Sequence, residues 1–332
     1  MDNDLRTQTH KRTKALEDLL NKINCLFEEP ELREISQLTQ PKLPTLLIVG
    51  NPRSGTTLLF QWLAATGLFA YPSNIMSRFY NAPYIGGLIH KIFIEYDKHG
   101  EICGKRQFDF TSSLGKTKGP DSPHEFWYFW RRFFHFGEIH RLNEDELASV
   151  NHELFLKELA AIESCFEKPL LLKALIMNWN LGYLNDKLQK PLFLFIKRNA
   201  IHNMASLYKT RKSFFNDPQR WYSFKPPEYE ALKAKDVYLQ LAGQVHYTNQ
   251  YIEQTLKSIQ HERSIVISYE KFCAAPEEQY HAIQSLMKLH GYDTNQAYTG
   301  PASFQPSINF DNGFNTAKAE KALSRIRKRR AF

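Results

Sequence analysis

The stretch Thr45-Leu46-Leu47-Ile48-Val49-Gly50-Asn51-Pro52-Arg53-Ser54-Gly55-Thr56-Thr57 decides the fold. Thr45–Val49 is short and continuously apolar, the mark of a strand buried on both faces. Gly50 and Gly55 then stand five residues apart in a GxxxxG loop. Thr57–Thr66 follows at helical spacing, with Leu59, Trp62 and Leu63 on one side and Gly67 as the stop. In a strand, glycine loop and helix in that order, backbone N–H groups and the helix N-terminus point at a common anion. Thr56 and Thr57 add hydroxyl donors at the helix start. Nucleoside triphosphatases carry Lys directly after the second glycine, where this chain has Thr56. The cation sits inside the loop instead, at Arg53. A guanidinium fork there can hold an anionic leaving group without a metal, which favours a transferred group less charged than a γ-phosphoryl.

Outward from this stretch the same grammar repeats. Leu170–Leu172, Leu192–Ile196 and Ser264–Ser268 read as further short buried strands, and a helical pattern over Leu241–Ile259 lies between the last two. Strands alternating with helices predict an α/β, three-layer P-loop fold: a central parallel sheet flanked by helices. Residues 10–28 predict a helix with Leu16, Leu19, Leu20, Ile23 and Phe27 on one face. Between residues 70 and 140 the periodicity dissolves into loops and aromatics, a helical and loop insertion of the kind that holds a substrate. The chain divides into an N-terminal helical segment over 1–40, a single domain over 41–310, and a basic tail over 311–332.

Charge follows that division. The formal net charge is +8, but residues 318–332 hold seven basic side chains against Glu320, a net +6. The rest of the chain therefore carries only +2, and its basic character is local rather than spread. A basic tail alone would suit a nucleic-acid binder, but nucleic acid is not expected as the partner of so nearly neutral a body. The four cysteines form no CxxC pair and fit reduced thiols in a cytoplasmic protein. Met1-Asp2-Asn3-Asp4 opens no apolar signal region, and no apolar run is long enough to span a bilayer. The His-Glu pairs at 124, 152 and 261 lack a second His four residues on, so no zinc-protease helix is present and no metal is expected.

The run Pro52-Arg53-Ser54-Gly55-Thr56-Thr57 after a buried strand resembles the 5′-phosphosulfate loop of the sulfotransferases that use 3′-phosphoadenosine 5′-phosphosulfate (PAPS). A second match is Leu192-Phe193-Leu194-Phe195-Ile196-Lys197-Arg198 with Ser206 eight residues later, similar to the Arg and Ser that bind the 3′-phosphate in that family. Ser268-Tyr269-Glu270-Lys271-Phe272 with Pro276 resembles a late family strand, and Lys173 resembles a family lysine in the sheet region. The resemblance spans about residues 45–290 and implies transfer of a sulfuryl group from PAPS to a hydroxyl or amine of a glycan, lipid or small molecule. It implies Arg53, Ser54, Gly55, Thr56, Thr57, Arg198 and Ser206 as cofactor-binding residues. Lys173 would stabilise the bridging oxygen or position the acceptor.

Transfer to a hydroxyl needs a general base within hydrogen-bond reach. Family members use a Glu soon after the loop or a later His, and Tyr71–Arg78 holds no carboxylate. His124 is the first candidate and Glu125 the second, with His90 behind them. His suits proton acceptance near neutrality. Glu125 competes with a capping box in which Ser122 is the N-cap and Pro123 the first helical residue. The helix so begun carries eight aromatics over Phe126–Phe136, which means burial with part left to wall a pocket, and it places Arg131 and Arg132 on a solvated face, the alternative being contact with an anionic acceptor. The rival reading is a P-loop kinase or a nucleotide-binding protein without sulfotransfer activity.

Overall fold

The computed structural model describes residues 3–104, 108–259, 261–308 and 310–328. Arg329 and Arg330 of the basic tail lie outside the described residues. Four strands form the central sheet: β1 (Thr45–Gly50), β2 (Leu170–Lys173), β3 (Pro191–Lys197) and β4 (Ser264–Ser268). Every pairing is parallel and the order is β2-β1-β3-β4. β1 lies inside the sheet, paired with β2 on one edge and β3 on the other, and both of its faces are covered. Leu47 and Val49 pack into one core with the helices Trp127–Phe133 and His152–Phe166, and Leu46 and Ile48 pack into another with Thr56–Ala65 and Pro276–Leu289. Alternate residues thus enter different cores, which an all-apolar run hides.

The sheet register sets the site. Ile48 lies beside Lys173, Gly50 beside Ile196, and Lys197 beside Ser268. The loop after β1, Lys173 at the end of β2 and Arg198 just past β3 therefore emerge at one edge of the sheet, the carboxyl edge where open α/β sheets bind ligands.

Three expectations need correction. β4 is an edge strand in which only Ile267 is fully buried, while Val266 is 59% exposed; unlike β2 at the other edge, it is not covered on both faces. The N-terminal helix runs from Lys14 to Glu34, and its apolar residues do not share one buried face: Leu20 is buried, whereas Leu16, Leu19 and Ile23 are exposed. The body instead grips polar residues of this helix. Asn24 donates to Arg78 O at 2.8 Å, and buried Glu31 accepts from the N–H groups of Tyr84 (2.7 Å) and Ile85 (3.0 Å) at the start of helix Pro83–His90. Third, the helix after residue 120 begins at Trp127, with Phe126 in the left-handed region at φ 53°, so Ser122, Pro123 and Glu125 form no capping box. The Ser122 hydroxyl donates to Lys118 O instead.

The helix Thr316–Lys328 lies on the helices Ala200–Phe215 and Val237–Ser258. Ala319, Ala322, Leu323 and Ile326 are buried there, while Lys318, Lys321, Arg325, Arg327 and Lys328 face solvent. Among the described residues, no helix is long and apolar enough to cross a membrane.

Candidate active site

The loop at the end of β1 takes a shape that ordinary side chains resist. Gly50 has φ 147° and Gly55 φ 100°; a Cβ on Gly50 would meet Ile196 O at 2.6 Å, and one on Gly55 would meet the Tyr269 ring at 2.2 Å. Arg53 itself sits at φ 67°, a left-handed conformation that costs a non-glycine residue about 1–3 kcal/mol and persists only where its surroundings enforce it.

Buried asparagines do the enforcing. Asn178 donates to Gly50 O (2.9 Å) and accepts from Gly50 N–H (3.3 Å). Asn51 donates to Val245 O (3.0 Å) and Asn249 Oδ1 (2.7 Å), and Asn203 donates to Pro52 O (2.9 Å). The Ser54 hydroxyl closes the loop on Asn51 O at 2.8 Å. No side chain caps helix Thr56–Ala65, so its N-terminal amides, which have no intrahelical acceptor, are left to an anion. Spacing gives no hint of Asn178 or Asn203. The one available sign is that Asn203 precedes Ser206 by about one helical turn.

Arg198, Ser206 and Arg53 meet on one side of this loop. Arg53 Nε donates to Ser206 Oγ at 3.4 Å, and Arg198 donates to Arg53 O at 3.0 Å and to Ser307 O. The Arg198 guanidinium lies 4.8 Å from the Tyr269 ring centre, and the Tyr269 hydroxyl accepts from Ser307 N–H at 3.1 Å. Arg198 Nε is buried with no partner. A buried guanidinium with an unused donor, next to a second guanidinium and a hydroxyl, is the chemistry a phosphate requires.

On the other side, Lys173 connects the loop to Glu125. Its ammonium donates to Thr57 Oγ1 at 2.8 Å and to the Glu125 carboxylate. Burial pushes the Lys173 pKa down, and the Glu125 charge opposes that shift. The second Glu125 oxygen accepts from the Trp127 indole at 2.6 Å. His124 faces a different task. Its backbone N–H donates to Pro72 O (2.8 Å) and its ring Nδ1 accepts from Phe126 N–H (2.9 Å). A neutral ring that accepts at Nδ1 carries its proton on Nε2, so it offers a donor and not a base. Desolvation holds its pKa down to about 4, which keeps it in that neutral form. His90 is bonded to the Ser73 hydroxyl at 2.8 Å and stacks edge-on against Phe166.

The turn Ser113–Lys116 lies over this cluster. It is closed by two 2.9 Å backbone bonds, and a Cβ on Gly115 would stand 3.3 Å from Glu125 Oε1 and 3.7 Å from Thr57 Oγ1. The Tyr222 hydroxyl donates to Leu114 O at 3.4 Å and so ties the turn to the body. In the aromatic helix, Phe129, Trp130 and Phe133 are core, and Trp127 stacks on Phe224 with centroids 5.0 Å apart. Arg131 is exposed, but Arg132 pairs with buried Glu158 rather than facing solvent, and its guanidinium lies over the Phe133 ring. Among the described residues no three His, Cys, Asp or Glu side chains converge as metal ligands.

Comparison with known proteins bears on this arrangement. A model of the sulfotransferase family matches residues 44–293, a span that takes in all four strands, the loop, Glu125, Lys173, Arg198 and Ser206. No curated protein matches the sequence. Among solved structures, the chain is similar to the sulfotransferase STF9 of Mycobacterium avium, with a TM-score of 0.52 at 13% identity over 98% of this chain and 79% of that one. The sulfotransferase STF1 of Mycobacterium tuberculosis H37Rv follows at a TM-score of 0.49 and 12% identity, over 90% of this chain and 81% of that one. With a family match over three quarters of its length, and the parallel sheet and glycine loop that go with it, this chain belongs to the sulfotransferase family.

Proposed function

We propose that the chain transfers a sulfuryl group from PAPS to a hydroxyl or amine of its acceptor by in-line displacement, with Glu125 as the general base. When bound, the donor supplies a sulfuryl group activated as a phosphosulfate anhydride, and 3′-phosphoadenosine 5′-phosphate (PAP) departs. The observation that carries the reading is the link Glu125–Lys173–Thr57, which joins a carboxylate to the first turn of the phosphate-loop helix. Glu125 takes the acceptor's proton. Lys173 holds that carboxylate in place and sets a positive charge beside the loop where negative charge develops. The loop amides and Arg53 hold the 5′ end of the donor, and Arg198 with Ser206 holds its 3′-phosphate. Thr56 and Thr57 add hydroxyls at the helix start. Positioning and fixed charge supply most of the acceleration. The unpaired Cys25, Cys103, Cys165 and Cys273 support a cytoplasmic setting.

The direct assay offers PAPS with radiolabelled sulfate to a panel of phenols, sugars and long-chain alcohols. Label should move to at least one class, and Glu125→Gln and Lys173→Met should each slow transfer by roughly 100-fold or more while PAP still binds. Mg²⁺-dependent ATP turnover with no label moved would overturn the reading.

A further inference from the structure

The apolar residues of helix Lys14–Glu34 that the body leaves uncovered are not scattered. Leu16, Leu19, Ile23 and Leu26 are 42%, 64%, 36% and 65% exposed. Their spacing of three, four and three residues is the a/d repeat of a helix seam. The body holds an adjacent face of the same helix through Leu20, Asn24 and Glu31. A large aliphatic stripe this regular on a solvent face marks an interaction surface. The helix carries six acidic and three basic side chains, so an anionic lipid surface would repel it.

We infer that a second copy of this chain packs on the stripe, with the two helices antiparallel about a two-fold axis. Charge complementarity selects both the occupant and the direction. Lys22 and Glu29 are exposed on the same flank of the stripe, one heptad apart. An antiparallel pairing centred between Ile23 and Leu26 sets Ile23 on Leu26 of the partner copy. It also sets Lys22 of each copy beside Glu29 of the other, twice by symmetry. A parallel pairing sets Lys22 beside Phe27 of the other copy, where it finds no acid, and Glu29 beside Glu34, which is repulsive. Pro30 lacks the N–H of a helix interior and lies where the seam ends.

The test is sedimentation velocity of the purified full chain over a range of concentrations. A dimer that dissociates on dilution is expected. Leu19→Glu, at a position too exposed to disturb the core, should weaken it by about tenfold or more, the effect of losing one apolar anchor. Circular dichroism should show that variant as folded as the wild type. Lys22→Glu and Glu29→Lys should each weaken the dimer, and the two together should restore it, whereas in a parallel dimer Glu29→Lys alone would strengthen the contact by facing Glu34. A monomer at every concentration, or a dimer indifferent to Leu19→Glu, overturns the inference. So does a monomer that binds phosphatidylcholine vesicles through Leu19.

Discussion

Glu125 and His124 are neighbours in sequence, and the turn between them and the next helix divides their work. The left-handed Phe126 ends the extended segment, so that His124 spends its Nδ1 on the Phe126 amide while Glu125 reaches Lys173. No spacing rule shows this, because it depends on where the helix starts, and the Ser122-Pro123 pair suggests a start four residues before Trp127. Glu125→Gln should lower kcat by roughly 10²–10⁴-fold with PAP affinity little changed, as loss of a general base does. His124→Asn should leave kcat within about tenfold of wild type, since it removes no proton acceptor. Steady-state kinetics on the two variants separates the roles, and a larger loss in His124→Asn than in Glu125→Gln would reverse them. Buried His140 makes a different, pH-linked prediction. Desolvation first, then the charges of Arg131 and Lys225, hold its pKa down to about 3. Below the ordinary value of about 6.5 the unfolded chain takes up a proton that the folded chain refuses, so stability falls as pH falls from about 6.5 towards 3. At pH 5 the loss is about 2 kcal/mol. Thermal melts between pH 7 and 5 should show this slope, and His140→Gln should flatten it.

At the scale of elements, the phosphate loop was legible because each of its parts has a local cause. An apolar run makes β1, two glycines take positive φ, and Thr56 begins a helix. Its scaffold was not legible. Asn178 and Asn203 lie far along the chain and become neighbours only when β2 and β3 pair on either side of β1. Nor was the turn Ser113–Lys116 visible as a cover over Glu125, since nothing local distinguishes it from any other glycine turn. Gly55→Ala combines a forbidden φ with a collision against Tyr269 and should reduce PAP binding below detection in calorimetry. Gly115→Val crowds the Glu125 carboxylate and should raise the acceptor KM while PAP affinity stays near wild type. Equal losses for donor and acceptor would show instead that the turn supports the whole loop.

Over the whole molecule, the charge distribution read from the sequence acquires a structural meaning. The helix Thr316–Lys328 buries its apolar stripe on two body helices and turns its basic side chains outward, so part of the tail belongs to the packed body. Leu323→Ala, which leaves a void in that contact, should cost about 2–4 kcal/mol in denaturant unfolding with PAP affinity unchanged. The cations we propose for the chemistry are inside the body, Arg53, Arg198 and Lys173, each brought to the same sheet edge by the parallel register. The central claim is that this edge holds a nucleotide with a 3′-phosphate. Calorimetric titration of PAP into wild type and Arg198→Ala measures it most directly. The account predicts one site per chain in the wild type and an affinity about 100-fold weaker in the variant, the loss of a charge-assisted phosphate contact. A wild type that does not bind PAP, or a variant that binds it equally well, would contradict the account.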